Sequence, residues 1–256
     1  MGTIFNQLKG AFLELFPNTK YRLILTGLVL IAAFISVSEL AVTKLFTNII
    51  LNEDSMSKNQ MLFMVVAFFL FFGITRAGHF FQRIYRVNVF DKAFKNSPDA
   101  VAPMKENWRW SLAFELTTIL GIITQVIVIV IFFTYLNWVF GLINLLVLAI
   151  TFQILGHLFK KQISTQRGFI EARRNKIPTS NFIRVGTRIK SGEIGILFSG
   201  LSMLGLLGVL LYFSFNNQIN AANTIVIFFG LRMQNSSLST LSTGLMRFAR
   251  ARTNSE

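Results

Sequence analysis

The chain has 256 residues, 53% of them apolar and only 14% charged, with 28 Phe, four Pro and no Cys. That composition excludes a disordered chain, a collagen, a disulfide scaffold and a zinc-thiolate module, and it points to a membrane protein. The formal net charge of +14 is therefore first a question of which side of a bilayer the basic residues occupy, and a nucleic-acid partner is not expected.

At the N-terminus Ile4, Phe5, Leu8, Phe12, Leu15 and Phe16 fall on one helical face, interrupted by Asn6, Gln7 and Lys9. The pattern predicts an interfacial amphipathic helix over residues 1–17. Pro17 and Asn18 end it before Tyr21 and Arg22. The apolar stretch that follows has no small-residue cleavage site and continues at full spanning length, so it reads as an anchor. Asn6 stands where myristoylation prefers Ser or Thr.

A hydrocarbon core of roughly 30 Å needs about 20 mostly apolar helical residues. Six stretches within residues 18–256 meet that requirement, approximately 21–51, 60–83, 112–136, 138–160, 192–215 and 221–248. The expected fold is an all-α integral membrane protein, an amphipathic elbow followed by six transmembrane helices. Stretches three to five carry long uncharged runs, Leu116 to Phe133, Val139 to Phe159 and Ile194 to Phe215. The first, second and sixth are interrupted by Glu39 and Lys44, by Arg76, and by Arg232, each of which needs protein or water beside it.

Lys and Arg counts in alternate connections set the expected orientation. The N-terminal segment, the second-to-third connection, the fourth-to-fifth connection and the C-terminus together hold 21 of the 25 basic residues; the opposite side holds only Lys58. Both termini are expected in the cytoplasm, in a bacterial plasma (inner) membrane. The basic connections suit anionic lipid headgroups, and Trp108, Trp110 and Trp138 fall at expected interfaces.

Ionisable groups at membrane depth are functional candidates because their insertion costs about 2.5–3.5 kcal/mol. Arg232, with Gln234 and Asn235, lies near the middle of the sixth stretch, and Ser236, Ser239, Thr240 and Thr243 follow at helical spacings. These seven are the expected cavity-lining residues, although Ser and Thr also bond their own backbone and join helices. Glu39 and Lys44 are the charges of the first stretch, Glu39 expected to pair with Arg232 or to take up a proton. Arg76 is placed to snorkel inward, and His79 follows on its face. Glu115 and His157 read as structural, and two His without a third ligand make no metal site. Gly192, Gly195, Ser199 and Ser202 form a small-residue stripe expected to pack closely on a neighbouring helix.

The hairpin from Thr117 to Lys161, with its Tyr135-Leu136-Asn137-Trp138 turn and TFQILGHLFKK exit, resembles the third-to-fourth span hairpin of ABC exporters. The ending ANTIVIFFGLRMQNSSLSTLSTGLMRFARARTNSE is similar to their sixth helix running toward the ATPase linker. This resemblance covers residues 3–256. It implies a transporter membrane domain that works as a homodimer or heterodimer with a similar domain, exchanges helices four and five between protomers, and encloses one cavity for a peptide, lipid or amphipathic small molecule. None of the 17 Gly is followed by Lys, so the phosphate cradle GxxxxGK[ST] is missing. No enzymatic activity is expected of these residues, and ATP would act only through a separate nucleotide-binding subunit. The two inner connections look short beside the family's coupling extensions, the fourth-to-fifth one reaching only some 20 Å. A motor-less relative, either proton-driven through Glu39, His79 or Glu115 or serving as a scaffold in a larger complex, is the alternative. A tetrameric channel is disfavoured, since the fourth span has no arginine ladder and the connection after the fifth is too short for a filter loop.

Overall fold

A computed structural model describes residues 2–51, 57–95 and 103–255. Among them are seven helices and no strand: α1 Gly2–Leu15, α2 Thr19–Leu51, α3 Lys58–Lys95, α4 Pro103–Leu136, α5 Trp138–Arg174, α6 Asn181–Phe215 and α7 Ala221–Ser255. Five of them, α2 to α6, are long and apolar enough to cross a membrane. The sixth expected span, 221–248, lies in α7. It is a single 35-residue helix, but its Arg, Asn, Ser and Thr positions keep it below the apolarity of the other five.

The helices run further than the apolar stretches. From α2 to α7 they hold 33 to 38 residues, about 50–57 Å at 1.5 Å per residue, against a core of about 30 Å. Much of what was expected as inner connection is helical extension. The second stretch continues from 83 to Lys95, and only six residues, 175–180, separate α5 from α6. Beyond Lys160 the α5 arm extends about 21 Å. Lys176 adopts a positive φ of 57° there, and Ser180 caps α6 by accepting from the Phe182 amide at 3.2 Å. Ser97-Pro98 and Ala102 lie outside the described residues; Pro103 opens α4, where its missing N–H costs nothing. At the opposite end Asn137 turns the chain between α4 and α5, its side chain accepting from the Phe140 amide at 2.9 Å.

α4 and α7 form the centre of the bundle, with α2, α5 and α6 against them and α3 outermost on α2. Leu116, Ile119, Leu245 and Phe248 are fully buried in that centre. Toward the turns that follow α4 and α6, Leu40, Phe133, Phe140, Ile227 and Leu231 make a second cluster. α3 buries only Thr75, Val89, Phe90 and Ala93. Its Phe63, Phe69, Phe80 and Phe81 point outward, which in a bilayer places their rings against lipid. Near the other end Phe16, Phe90, Phe94, Trp110 and Phe114 form one aromatic group with centroid spacings of 5.0–6.2 Å. Trp110 is thus part of that packing, while Trp138 is exposed.

α1 is docked on the bundle rather than lying free on its surface. Its buried face is Ile4, Leu8, Ala11 and Leu15, spaced four, three and four; Phe5, expected on that face, is exposed. The elbow is set by Asn18, whose side chain accepts from the Lys20 amide at 2.9 Å, and by Arg22, which donates to the Phe16 carbonyl at 2.6 Å. Glu14 binds both terminal nitrogens of Arg252 at the end of α7. The hydrogen bond from Arg252 holds the Glu14 carboxyl below its ordinary pKa. A depressed carboxyl stabilises the folded state above the unfolded pKa of about 4.3, and that contribution is lost as pH falls through the lower folded value. The hydrogen-exchange protection of α1, corrected for the intrinsic pH dependence of amide exchange, is expected to be flat from neutral pH down to about 5 and to fall only in acid. Glu14→Gln removes the pH dependence, by less than about 1 kcal/mol because the carboxylate is largely exposed.

Candidate functional site

Two clefts with polar side chains in their walls meet at Glu39. The first is a pocket of about 170 Å³ between α2, α3 and α4, lined among others by Ser36, Glu39, His79, Gln82, Arg86 and Gln125. Helix spacing assembles it: His79, Gln82 and Arg86 are three and four residues apart on α3, so they share one face. His79 Nε2 lies 3.2 Å from Glu39 Oε1. Gln82 donates to the Leu28 carbonyl at 3.2 Å, and Arg86 Nη1 donates to Thr118 Oγ1 at 3.1 Å while its guanidinium rests 4.8 Å above the Phe114 ring. α2 and α3 approach closely here because position 78 is Gly; a Cβ would come 2.9 Å from Ile35 Cγ1.

The expected ion pair of Glu39 with Arg232 does not form; Glu39 is bound by His79 instead. α3 packs on α2 and puts His79 beside the carboxylate, whereas Arg232 leaves α7 on its exposed face. His79→Leu is expected to lower stability by about 0.6 kcal/mol, at most about 1.7, the range for hydrogen bonds between transmembrane helices. Denaturation in mixed detergent micelles measures it, and Glu39→Gln, which keeps an acceptor, should cost less.

A second cleft of about 290 Å³ opens on the other side of Glu39, between α2, α3 and α7, and is lined by Leu40, Thr43, Phe72, Thr75, Arg76, Phe229 and Met233. Arg76 is exposed, its guanidinium 5.2 Å from the Phe72 ring centre. Lys44 sits further along α2, 5.1 Å from the Tyr135 ring, and takes no part in either cleft.

The polar residues of α7 divide between two faces. Arg232, Ser236 and Thr240 are exposed and Ser239 and Thr243 half-buried; with Arg247 they make one open stripe at spacings of three and four. Gln234 and Asn235 instead turn into the bundle. Gln234 is buried and exchanges two hydrogen bonds with Asn144 of α5, at 2.8 and 3.0 Å. Asn235 Oδ1 accepts from Ser199 of α6 at 2.7 Å. In a single chain these two residues join helices.

At the other end of the stripe Arg188, Gly192 and Glu193 of α6 and Thr243, Met246 and Arg247 of α7 line a cleft of about 170 Å³. Arg247 bonds Glu115 of α4 at 2.6 Å, so Glu115 holds α4 to α7. Arg250 lies 5.1 Å from the Trp108 ring. Burial lowers its guanidinium pKa, and Arg188 and Arg173 lower it further. His157 is exposed on α5. Among the described residues no group of three or more His, Asp or Glu is placed to hold a metal ion.

Asn144, Gln82 and Arg86 were not among the expected site residues. Asn144 is the one polar side chain between Val139 and Ile150, and that isolation was a signal for a buried partner. No protein-family model matches the chain, and no curated protein matches it significantly.

Proposed function

We propose that the chain is the membrane-spanning subunit of an ABC-type transporter, with α7 as its sixth crossing and both termini cytoplasmic. Two such domains enclose a cavity for a peptide, lipid or amphipathic small molecule, and ATP hydrolysis is supplied by a nucleotide-binding subunit. The open polar stripe of α7 carries this reading. Arg232 is about 16 Å along the helix from Ala221, near mid-bilayer if α7 crosses, and a guanidinium there cannot face hydrocarbon without a large penalty. Water in a cavity shared with a second domain relieves that penalty. The terminal basic residues and the short 175–180 connection are compatible with close docking of a soluble subunit under the bundle.

Purification from native membranes in mild detergent tests this. The expected result is a dimeric membrane component with a nucleotide-binding subunit, and transport that stops when that subunit's ATP site is disabled. A second reading, a proton-driven carrier, is favoured by the Glu39–His79 pair beside a polar pocket. It requires flux to fall with Glu39→Gln and His79→Ala while remaining indifferent to ATP.

A further inference from the structure

We infer that the cargo recognised along the α7 stripe is an anionic amphiphile, a molecule with a carboxylate or phosphate group on an apolar body; this rests on the cavity reading of the stripe. The charges that face the open side are unequal. Arg247 of α7 is paired with Glu115, which leaves Arg76 of α3, Arg232 of α7 and Arg188 of α6 against Glu39 and Glu193. Glu39 is bound by His79, and Glu193 lies in the terminal cleft with Arg188 and Arg247. Among the described residues neither Arg76 nor Arg232 forms an ion pair, and both are exposed.

Guanidinium groups recognise carboxylate and phosphate through paired N–H donors, and the interaction strengthens where water is scarce. Beside these cations the wall is mixed but largely apolar. Leu40, Val42, Phe72, Phe229 and Met233 line the cleft of about 290 Å³ together with Arg76, Thr43, Thr75 and the His79-bound Glu39, near the lower limit for small-ligand sites. Arg232 follows Phe229 by three residues on α7. An acidic head on Arg232 would leave a chain or ring to lie against those side chains. A cationic amphiphile would meet two guanidinium groups, with the nearby carboxylate already held by His79.

The absence of cysteine makes the test direct. The full chain, with any co-purifying subunit, is placed in phosphatidylcholine nanodiscs and titrated with dansylaminoundecanoic acid and its uncharged amide. The acid should bind at least about 10-fold tighter than the amide. Arg232→Gln should cut acid affinity by about 10-fold and leave the amide unchanged, with Arg76→Gln acting in the same direction. Equal binding of acid and amide, or an acid affinity indifferent to both substitutions, overturns the proposal. Ser236→Cys labelled by a water-soluble maleimide separates the two failures. If the thiol reacts while the acid shows no preference, the cavity stands and the anionic class is wrong; if it does not react, the cavity reading itself fails. Competition by phosphatidylglycerol in the disc identifies a lipid headgroup as the bound anion, and lack of competition identifies a soluble amphiphile.

Discussion

Gly195→Val is expected to destabilise the α5–α6–α7 unit by about 2–3 kcal/mol. A Cβ at this position would overlap Ser242 Oγ and come 2.8 Å from Leu155 Cδ2. Neither neighbour has room to withdraw. Ser242 Oγ is buried and donates to the Gly192 carbonyl at 2.9 Å, and Leu155 is fully buried. The γ-methyls of Val aggravate the clash, so α6 must move off α7 or Ser242 must give up its bond, leaving a buried hydroxyl unpaired. Gly205, ten residues along the same helix, has nothing within 4 Å of a Cβ. Gly205→Ala should therefore be neutral or stabilising by up to about 1 kcal/mol through helix propensity. Unfolding in detergent with rising dodecyl sulfate, followed by circular dichroism, compares the two. Equal stability of Gly195→Val and Gly205→Ala would mean that α6 and α7 do not approach through this glycine.

The small-residue stripe was legible because Gly192, Gly195, Ser199 and Ser202 recur at helical spacing in an uncharged run. Each now has a contact: Gly192 and Gly195 against α7, Ser199 on Asn235 at 2.7 Å, and Ser202 on Thr151 at 2.8 Å. The helices themselves were legible because bilayer thickness sets the length of an apolar run. The inner end of α3 was not, because past residue 83 it leaves the hydrocarbon and continues with Arg, Asp and Lys, whose hydropathy reads as connection, whereas the α5 arm past residue 160 has the reach of about 20 Å expected of it. The partner of Glu39 was also out of reach. Periodicity says which face of α2 carries the carboxylate, but whether α3 or α7 lies over that face is a matter of tertiary packing. The division of α7 had the same cause. Arg232 and Gln234 are two residues apart and so about 200° apart around the helix, but which of the two directions meets α5 is decided by how α7 is rotated in the bundle.

Gln234→Leu should cost about 1–3 kcal/mol, while the double variant Asn144→Leu with Gln234→Leu should recover most of that loss. Gln234 and Asn144 are 3% and 0% exposed and give each other one N–H and one C=O. Each amide is the other's partner between α5 and α7, away from lipid headgroups and bulk water. Removing one side leaves the remaining amide desolvated, and the penalty is that of the orphaned group rather than of the lost bond. Removing both replaces two paired polar groups with apolar ones of similar volume, which a membrane interior tolerates at little cost. The single variant Asn144→Leu should behave like Gln234→Leu, since the pair is reciprocal. Unfolding free energies of the four proteins close a double-mutant cycle, and the magnitude of the coupling energy should approach the sum of the two single-variant losses. Additive losses would show that the two amides do not meet and that α7 sits in a different rotation about its axis. That rotation would also turn Arg232 and Ser236 off the open face, so the cycle tests the geometry on which the proposed cavity depends.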